Sequence, residues 1–296
     1  MPEYLSPGVY IGESDPGSRS IEGVSTSTGG FLGETERGPV QPQLVTSWQD
    51  YWKRYGGYFD IDGNQYLPYA VEGFFINGGQ RCYIGRITRK GASKAGISLG
   101  GALTVETLGP VDSGNRVAVV VKKGSSSEED PRTSFLLQVI YWNGPIDDSD
   151  VPGDEAGLRA LLSRKQPQHV EMFDNLSADP GSPNFYGTQV RSYVIRAFRS
   201  AKDTGGGLPP DTPCVFLTGG STGAEHTPPD LTRWMNPGVN EPGGRGGLEA
   251  FREIHEISIV HAPGVTDTAL VTKIVEHCEI TKNRFAIIDS RKGRKG

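Results

Sequence analysis

The sequence predicts an α/β (mixed α+β) fold: an α/β body, a β-rich module inserted into it and an extended N-terminal arm. Helix-like segments alternate with apolar strand-like runs over residues 21–87 and again over 214–296, which is typical of α/β structure. Strand-like runs dominate residues 88–213 instead. Residues 1–20 are rich in Pro, Gly and Ser. We therefore predict an arm over 1–20, a body built from 21–87 and 214–296, and an inserted module over 88–213.

The composition narrows the classes of function. The chain has 296 residues, 35% of them hydrophobic, with 41 glycines and 21 prolines, which favours a globular protein with many turns and long loops. The net charge of −5 gives no overall attraction to nucleic acid or to anionic lipid. The three cysteines, Cys82, Cys214 and Cys278, form no C-x-x-C pair and favour a reducing compartment. The sequence contains no run of 18 apolar residues, so it predicts no membrane span.

The arm contains one short β-prone patch. Val9, Tyr10 and Ile11 have strand-forming side chains, and Pro and Gly residues surround them. No Asn-Gly or Asp-Gly turn follows that would pair this patch with a neighbouring strand. The patch therefore has to find its sheet elsewhere, and Gly12 and Gly17 are flexible positions that separate it from the body.

The body begins with a strand and two helices. Residues 22–33 form a small, β-branched run that predicts a core strand. Ser47 is a predicted N-cap of a helix over 47–57, with Asp50 in the capping-box position. We expect this helix to pack inward through its aromatic residues, which share one face: Trp48, Tyr51, Trp52 and Tyr55.

A second helix is predicted over 67–77, because Pro68 suits its first turn and two glycines follow its end. Phe74 and Phe75 belong to its predicted inner face. The run at 81–87 then predicts a strand.

The predicted module contains two clear strands, at 117–123 and 135–142, separated by an acidic, Ser-rich loop. A helix is predicted over 184–198 from its apolar residues.

The last part of the chain returns to the α/β pattern. A strand near 214–217 leads into a long Gly/Pro loop over 220–246, and a short helix is predicted over 247–254. A strand at 257–263, a helix at 266–280 and a strand at 284–289 follow. Strand, helix and strand in that order predict a βαβ unit with a parallel pair and a right-handed crossover.

The only candidate for catalysis is the sequence GGSTG at 219–223, which matches G-x-S-x-G with Ser221 as the nucleophile of a serine hydrolase. That motif needs a helix directly after the serine, whereas a Pro-rich loop follows here. Asp230, His255, His261 and His277 are its loose acid and base candidates. We expect no enzyme, no cofactor and no metal, and we keep the hydrolase as the alternative hypothesis.

An ordered set of segments resembles the tail sheath protein family of contractile phages and phage-like contractile injection systems. The segments lie near both ends of the chain and in its middle: YLSPGVYIGE (4–13), IEGVSTSTGGFLGETERGPV (21–40), VTSWQDYWKRYGG (45–57), YLPYAVEGFFINGGQRCYIGRI (66–87), VEMFDNLSADPGSPNFYGTQV (170–190), ISIVHAPGVTD (257–267) and EHCEITKNRFAIIDS (276–290).

The resemblance implies a structural subunit that polymerises helically, as stacked hexameric rings, around an inner tube and contracts to drive the tube through a target cell envelope. It implies that Val9, Tyr10 and Ile11 form a strand donated to a neighbouring subunit, with Gly12 and Gly17 as the hinge of the arm. Strand addition at a sheet edge and a head-to-tail contact that does not close are the physical basis of such a filament.

The resemblance also implies partners and location. The implied partners are other copies of the chain and the inner tube, baseplate and terminator proteins of the same particle, with no nucleic acid and no direct membrane insertion. The implied location is the bacterial cytoplasm during assembly, then a virion tail or a released extracellular particle. Family members continue beyond the strand at 284–289 into a C-terminal region that this sequence is expected to lack.

Overall fold

The computed structural model of the protein describes residues 28–59, 65–128, 134–199, 207–224, 230–236 and 245–290. Over these residues the chain has the mixed α+β fold that the sequence predicts. The arm over 1–20 lies outside the described residues, and so do all the residues predicted to act there: Val9, Tyr10, Ile11, Gly12 and Gly17.

The strands of the described residues form three sheets. In chain order they are β1 (Thr28–Gly33), β2 (Gln43–Val45), β3 (Arg81–Arg86), β4 (Gly96–Leu99), β5 (Leu103–Thr107), β6 (Val117–Lys123), β7 (Phe135–Tyr141), β8 (His169–Leu176), β9 (Ile195–Phe198), β10 (Thr212–Phe216), β11 (Ile259–His261) and β12 (Phe285–Ile287).

The α-helices of the described residues lie between these strands. They are α1 (Trp48–Tyr55), α2 (Leu67–Ile76), α3 (Glu155–Arg164), α4 (Tyr186–Gln189), α5 (Leu231–Met235), α6 (Gly247–Ala250) and α7 (Thr268–Thr281).

The first sheet has the order β12-β11-β1-β3-β2 and is parallel except for β2. The segment β11–α7–β12 is the predicted βαβ unit, and its two strands pair in parallel as expected. Asp267 caps the start of α7 by accepting a hydrogen bond from the backbone N–H of Leu270.

Helices cover both faces of this sheet. Phe31 of β1 and Ile84 of β3 pack against α1 and α2 on one face. Leu32 of β1 and Val260 of β11 point to the other face and pack against α6 and α7. The alternation follows from the two-residue period of a strand.

Helix α1 begins where the sequence predicts, but its buried face differs from the prediction. Ser47 accepts a hydrogen bond from the backbone N–H of Asp50, as an N-cap does. Tyr51 and Tyr55 are fully buried, whereas Trp52 is 37% exposed. The prediction that Trp52 packs inward is wrong, because the aromatic stripe is wider than the contact with the sheet and Trp52 lies at its outer margin beside Tyr58.

The second and third sheets pack face to face. The second has the order β10-β6-β7-β8 and the third has the order β4-β5-β9. Their shared core includes Val119 and Leu137 from the second sheet and Val105 and Ile195 from the third. Helix α3 covers the opposite face of the second sheet through Leu161.

The predicted helix over 184–198 is wrong for most of its length. Only the four residues of α4 are α-helical there, and β9 follows as a strand antiparallel to β5. Ile195 and Ala197 alternate into the shared core, so pairing with β5 outweighs the local helical pattern.

The boundary of the inserted module stays a prediction. Strand β10 pairs with β6, so Cys214, which we assigned to the body, lies in the second sheet. Isolated bridges join Ser93 to Ser221 and Lys90 to Ala224. We therefore propose that the module extends to residue 224.

A buried carboxylate joins the first sheet to the second. Glu36 lies just after β1 and is 7% exposed. It accepts hydrogen bonds from the backbone N–H of Gly57 at 2.9 Å and from the hydroxyl of Tyr141, on β7, at 2.5 Å. The guanidinium of Arg37 lies 3.6 Å from it and also over the ring of Tyr141. Burial and the neighbouring Glu36 raise the pKa of Tyr141 to about 12, so its hydroxyl stays a donor.

We expect Tyr51→Ala to lower the free energy of unfolding by about 3–5 kcal/mol, because it removes a fully buried ring from the core. Trp52→Ala, in the next position of the same helix, is the matched control and should cost no more than about 1–2 kcal/mol. Urea unfolding of both variants measures the difference. Equal losses would contradict the burial described for α1.

We expect Tyr141→Phe to cost about 1–3 kcal/mol, because it deprives a buried carboxylate of a donor. Tyr186→Phe is the control, since the Tyr186 hydroxyl donates to the neutral carbonyl of Ala102 at 2.8 Å. Hydrogen bonds to charged groups contribute more than neutral ones, so Tyr141→Phe should be the more destabilising in urea. The reverse order would show that Glu36 does not hold the two sheets together.

Candidate assembly edge

Strand β12 forms one edge of the first sheet. Within the part of the chain that the structure describes, no strand pairs with its outer side. Large apolar side chains are exposed here: Phe285 is 71% exposed, Ile287 48% and Ile288 41%. An unpaired edge that carries exposed apolar side chains is a template for pairing with another strand.

The register of the sheet places two of these side chains on the same face as Phe31. Phe31 pairs with His261, and His261 pairs with Ile287. Two residues earlier in each strand, Gly29 pairs with Ile259, and Ile259 pairs with Phe285. Phe285 and Ile287 therefore point to the side of the sheet that α1 and α2 cover elsewhere.

Helices leave this part of the face bare. Helix α2 packs over β1 through contacts such as that of Phe74 with Phe31, whose ring centroids lie 5.4 Å apart. The helix that packs against β12 is α7, and it does so on the opposite face, where Ala286 adjoins its core. No helix of the described ranges covers Phe285 or Ile287.

A buried cation holds β12 in place. Arg284 directly precedes the strand and donates hydrogen bonds to the carbonyl oxygens of Phe251 at 2.8 Å and Ile254 at 3.1 Å. A third bond, of 3.1 Å, joins it to Nε2 of His277 on α7. Because a guanidinium has no acceptor, Nε2 has to accept, and the proton of the neutral ring lies on Nδ1. Burial and then the charge of Arg284 lower the pKa of His277 to about 4.

The edge of the second sheet differs in chemistry. Glu171 of the edge strand β8 points inward, where it bonds to His169 at 2.8 Å and accepts from the backbone N–H of Tyr193 at 2.9 Å. An inward charge is one of the devices by which proteins blunt an edge against pairing. The other edge strand, β10, contains Pro213, which has no N–H to offer. Strand β12 has neither device.

Ser221 lies in a loop between two glycines with positive φ, Gly219 (84°) and Gly223 (83°). Its hydroxyl accepts a hydrogen bond from the backbone N–H of Gly223 at 3.1 Å. Two of the three histidines proposed as its bases have other partners, since His277 bonds to Arg284 and His261 to the carbonyl of Ile287. No hydrogen bond of the described residues joins Ser221 to a histidine.

Neither a metal-binding cluster nor a membrane-spanning helix is present in the part of the chain that the structure describes. No group of three or more His, Cys, Asp or Glu side chains there could hold a metal ion. No helix within the same ranges has the length and apolarity needed to cross a membrane.

Sequence reasoning missed the residues of this edge. The run from Phe285 to Ile288 is continuously apolar, as in a strand buried on both faces, and the sequence itself predicts only a strand of the body at 284–289. Only the sheet order, which depends on pairing across the whole chain, shows that β12 lies at an edge.

The described residues define a mixed α+β protein whose largely parallel first sheet has, at β12, an edge with exposed apolar side chains. The structure is similar to that of the sheath tail protein of Desulfitobacterium hafniense, with 14% identity and a TM-score of 0.44, over 93% of this chain and 50% of that one. It is also similar to the sheath tail protein of Listeria innocua, with 11% identity and a TM-score of 0.46, over 86% of this chain and 44% of that one. This chain thus spans about half the length of these solved structures.

No family model matches the sequence, and no curated protein matches it significantly.

We expect the contribution of His277 to stability to fall as the pH drops from 6.5 to about 4. The folded protein holds the pKa of His277 at about 4, below its ordinary value of 6.5, so the unfolded chain binds more protons over this range. At about 1.4 kcal/mol per pKa unit, the loss approaches about 3 kcal/mol. His277→Gln should remove this part of the pH dependence.

Urea unfolding at several pH values, of the wild type and of each variant, measures this contribution. The control is His255→Gln, because His255 is exposed. If His277→Gln and the wild type lose stability in parallel on acidification, the neutral state assigned to His277 is wrong.

Proposed function

We propose that this protein is a structural subunit of a contractile tail sheath, which polymerises around an inner tube and contracts to drive the tube through a target envelope. The observation that carries the proposal is the open β12 edge, where Phe285 and Ile287 are exposed on a face that helices cover elsewhere. A subunit that builds a filament by strand addition needs such an acceptor.

The distribution of the resembling segments supports this proposal. Five of the seven segments, although spread from residue 21 to residue 290, fall in the first sheet and its helices. Segment 21–40 contains β1, segment 45–57 contains α1, and segment 66–87 contains α2 and β3. Segments 257–267 and 276–290 contain β11 and β12. The likeness to the sheath family is thus concentrated in one folded unit, the one that carries the open edge.

The donor in this proposal is the N-terminal arm of a neighbouring copy. Val9, Tyr10 and Ile11 would add as a strand beside β12, with backbone hydrogen bonds giving affinity and alternate side chains giving fit. Donor and acceptor are different surfaces of the same chain, so the contact is head-to-tail and generates an open helical array. Gly12 and Gly17 would let the bodies rotate during contraction while the strands stay paired.

The remaining partners follow from the same proposal. Stacked hexameric rings would enclose the inner tube protein, and the baseplate and terminator proteins would bound the stack. Assembly would take place in the bacterial cytoplasm, and the product would be a virion tail or a released particle. No observation favours the hydrolase hypothesis for Ser221.

We expect deletion of residues 1–15 to leave the body folded and to abolish filaments, because it removes the donated strand. Tyr10→Pro should have the same effect, since proline removes a backbone donor and restricts the residue before it. Phe285→Lys, at an exposed position of the acceptor edge, should also block assembly without unfolding the body. Sedimentation and negative-stain microscopy, with the tube protein of the same particle coexpressed, measure filament length.

Two variants serve as controls in the same assay. Ser14→Pro puts a proline in the arm outside the β-prone patch. Ser221→Ala removes the hydroxyl that the alternative hydrolase hypothesis requires. Both variants should form sheaths of normal length. Sheaths of normal length from the deletion variant would overturn the strand-exchange proposal. Hydrolytic activity that disappears in Ser221→Ala would overturn the structural function.

A further inference from the structure

We infer that in the free subunit the protein's own N-terminal segment, residues 4–11, occupies the β12 edge, and that assembly replaces it with the same segment of a neighbouring copy. The inference rests on the proposed function, because the segment that covers the edge in the free subunit is the one exchanged in the filament. It assigns the arm a second task, which is to restrain self-association before assembly.

The edge needs an occupant even in a single copy. Parallel sheets are covered on both faces in folded proteins, and here no helix or strand of the described ranges covers the α1–α2 face beyond β11. Phe285 is 71% exposed and Ile287 is 48% exposed beside an unpaired backbone. A free subunit with this surface uncovered would pair or aggregate through it.

The N-terminal segment joins the described structure close to this edge. Thr28, the first residue of β1, accepts a hydrogen bond from the backbone N–H of Ser258 at 3.0 Å. Ser258 in turn accepts one from the N–H of Phe285 at 2.9 Å. The chain therefore enters the sheet only two strands from β12, at the end of the sheet where Phe285 lies.

The connection between the N-terminal segment and β1 is long enough for the segment to reach the outer side of β12. Residues 12–27, which separate Ile11 from Thr28, number 16. Sixteen residues span up to about 53 Å when extended, at about 3.3 Å each. A strand outside β12 lies three strand spacings from β1, which is about 15 Å. The connection is long enough for pairing in either direction.

The chemistry of the segment matches the edge. Val9 and Ile11 point to one side of an extended chain, with the spacing of Phe285 and Ile287, so the two pairs can lie side by side on the bare face. The N-terminal segment is therefore an occupant whose side chains fit the bare face.

Self-occupation would set the order of events in assembly. A tethered strand has an effective concentration of about a millimolar, so it outcompetes neighbours that are present at micromolar concentration. Exchange becomes favourable only where a growing end holds the incoming subunit through further contacts. The arrangement is a form of domain swapping, in which one element makes the same contacts within a chain or between chains.

The test is disulfide trapping of the full-length subunit in the absence of the tube protein, at about 1 µM, well below the effective concentration of a tethered strand. The variant Ile11→Cys/Phe285→Cys is oxidised with copper phenanthroline, and the products are separated on a non-reducing gel and identified by mass spectrometry. The natural cysteines Cys82, Cys214 and Cys278 are buried and leave a low background. We expect an intramolecular crosslink that forms at least about tenfold faster than in the control pair.

The control pair is Ile11→Cys/Met172→Cys. Met172 is 60% exposed on β8, the edge strand with an inward charge, so its cysteine is as accessible as the one at position 285. Equal crosslinking rates for the two pairs, or no crosslink in either, would overturn the inference. Crosslinks found only in dimers and larger species would overturn it too, while leaving strand exchange in place. The proposed function is tested separately, because sheaths of normal length from the variant that lacks residues 1–15 would contradict it.

Discussion

A parallel sheet has to be covered on both faces, and the architecture of this protein follows from how far that requirement is met. Strands β1 and β3 carry apolar side chains on both sides, which is why α1 and α2 lie on one face while α6 and α7 lie on the other. The crossover from β1 to β3 and the crossover from β11 to β12 run in opposite directions along the sheet, so their helices fall on opposite faces. Among the described residues of this sheet, the α1–α2 side of β12 is left bare, and it is there that we propose the functional surface.

The second constraint is the buried carboxylate of Glu36. A charge this deep in a protein is costly unless its oxygens are bonded, and here the partners come from separate parts of the chain. Gly57 follows α1, whereas Tyr141 ends β7 in the second sheet. Arg86 adds to this polar contact, because its guanidinium donates hydrogen bonds to the carbonyl oxygens of Gly38 and Pro110. The orientation of the module against the first sheet is thus set by polar geometry, which tolerates less variation than an apolar contact.

Local signals predicted much of the first sheet. The cap at Ser47 and the βαβ pattern after residue 257 are decided within a few residues of sequence, and both are confirmed. Features that depend on distant pairing were not predictable in this way. Residues 195–198 have a pattern compatible with a helix and become a strand because β5 lies beside them. Trp52 and Tyr51 are neighbours in one aromatic stripe, and only the position of the sheet decides which is buried.

The same distinction applies to the candidate edge. The sequence predicts a donor, the patch at Val9–Ile11, because the Pro and Gly residues around it leave it no local partner. It does not point to the proposed acceptor, since the run from Phe285 to Ile288 would look the same in the middle of a sheet. Edge position is a property of the strand order, and the strand order here brings together segments that are more than 200 residues apart, as in the pairing of Gly29 with Ile259.

The shortness of β12 has a consequence for assembly. With three residues, the strand can add only about three backbone hydrogen bonds, each contributing about 1 kcal/mol net. Covering Phe285 and Ile287 contributes about 2 kcal/mol for each side chain. After the entropy lost on association, which is about 4 kcal/mol or more, a single such contact between free subunits is weak. A filament built on this edge would therefore depend on many simultaneous contacts, and under the proposed function the weakness of each one would allow a strand to be exchanged between copies without unfolding the body.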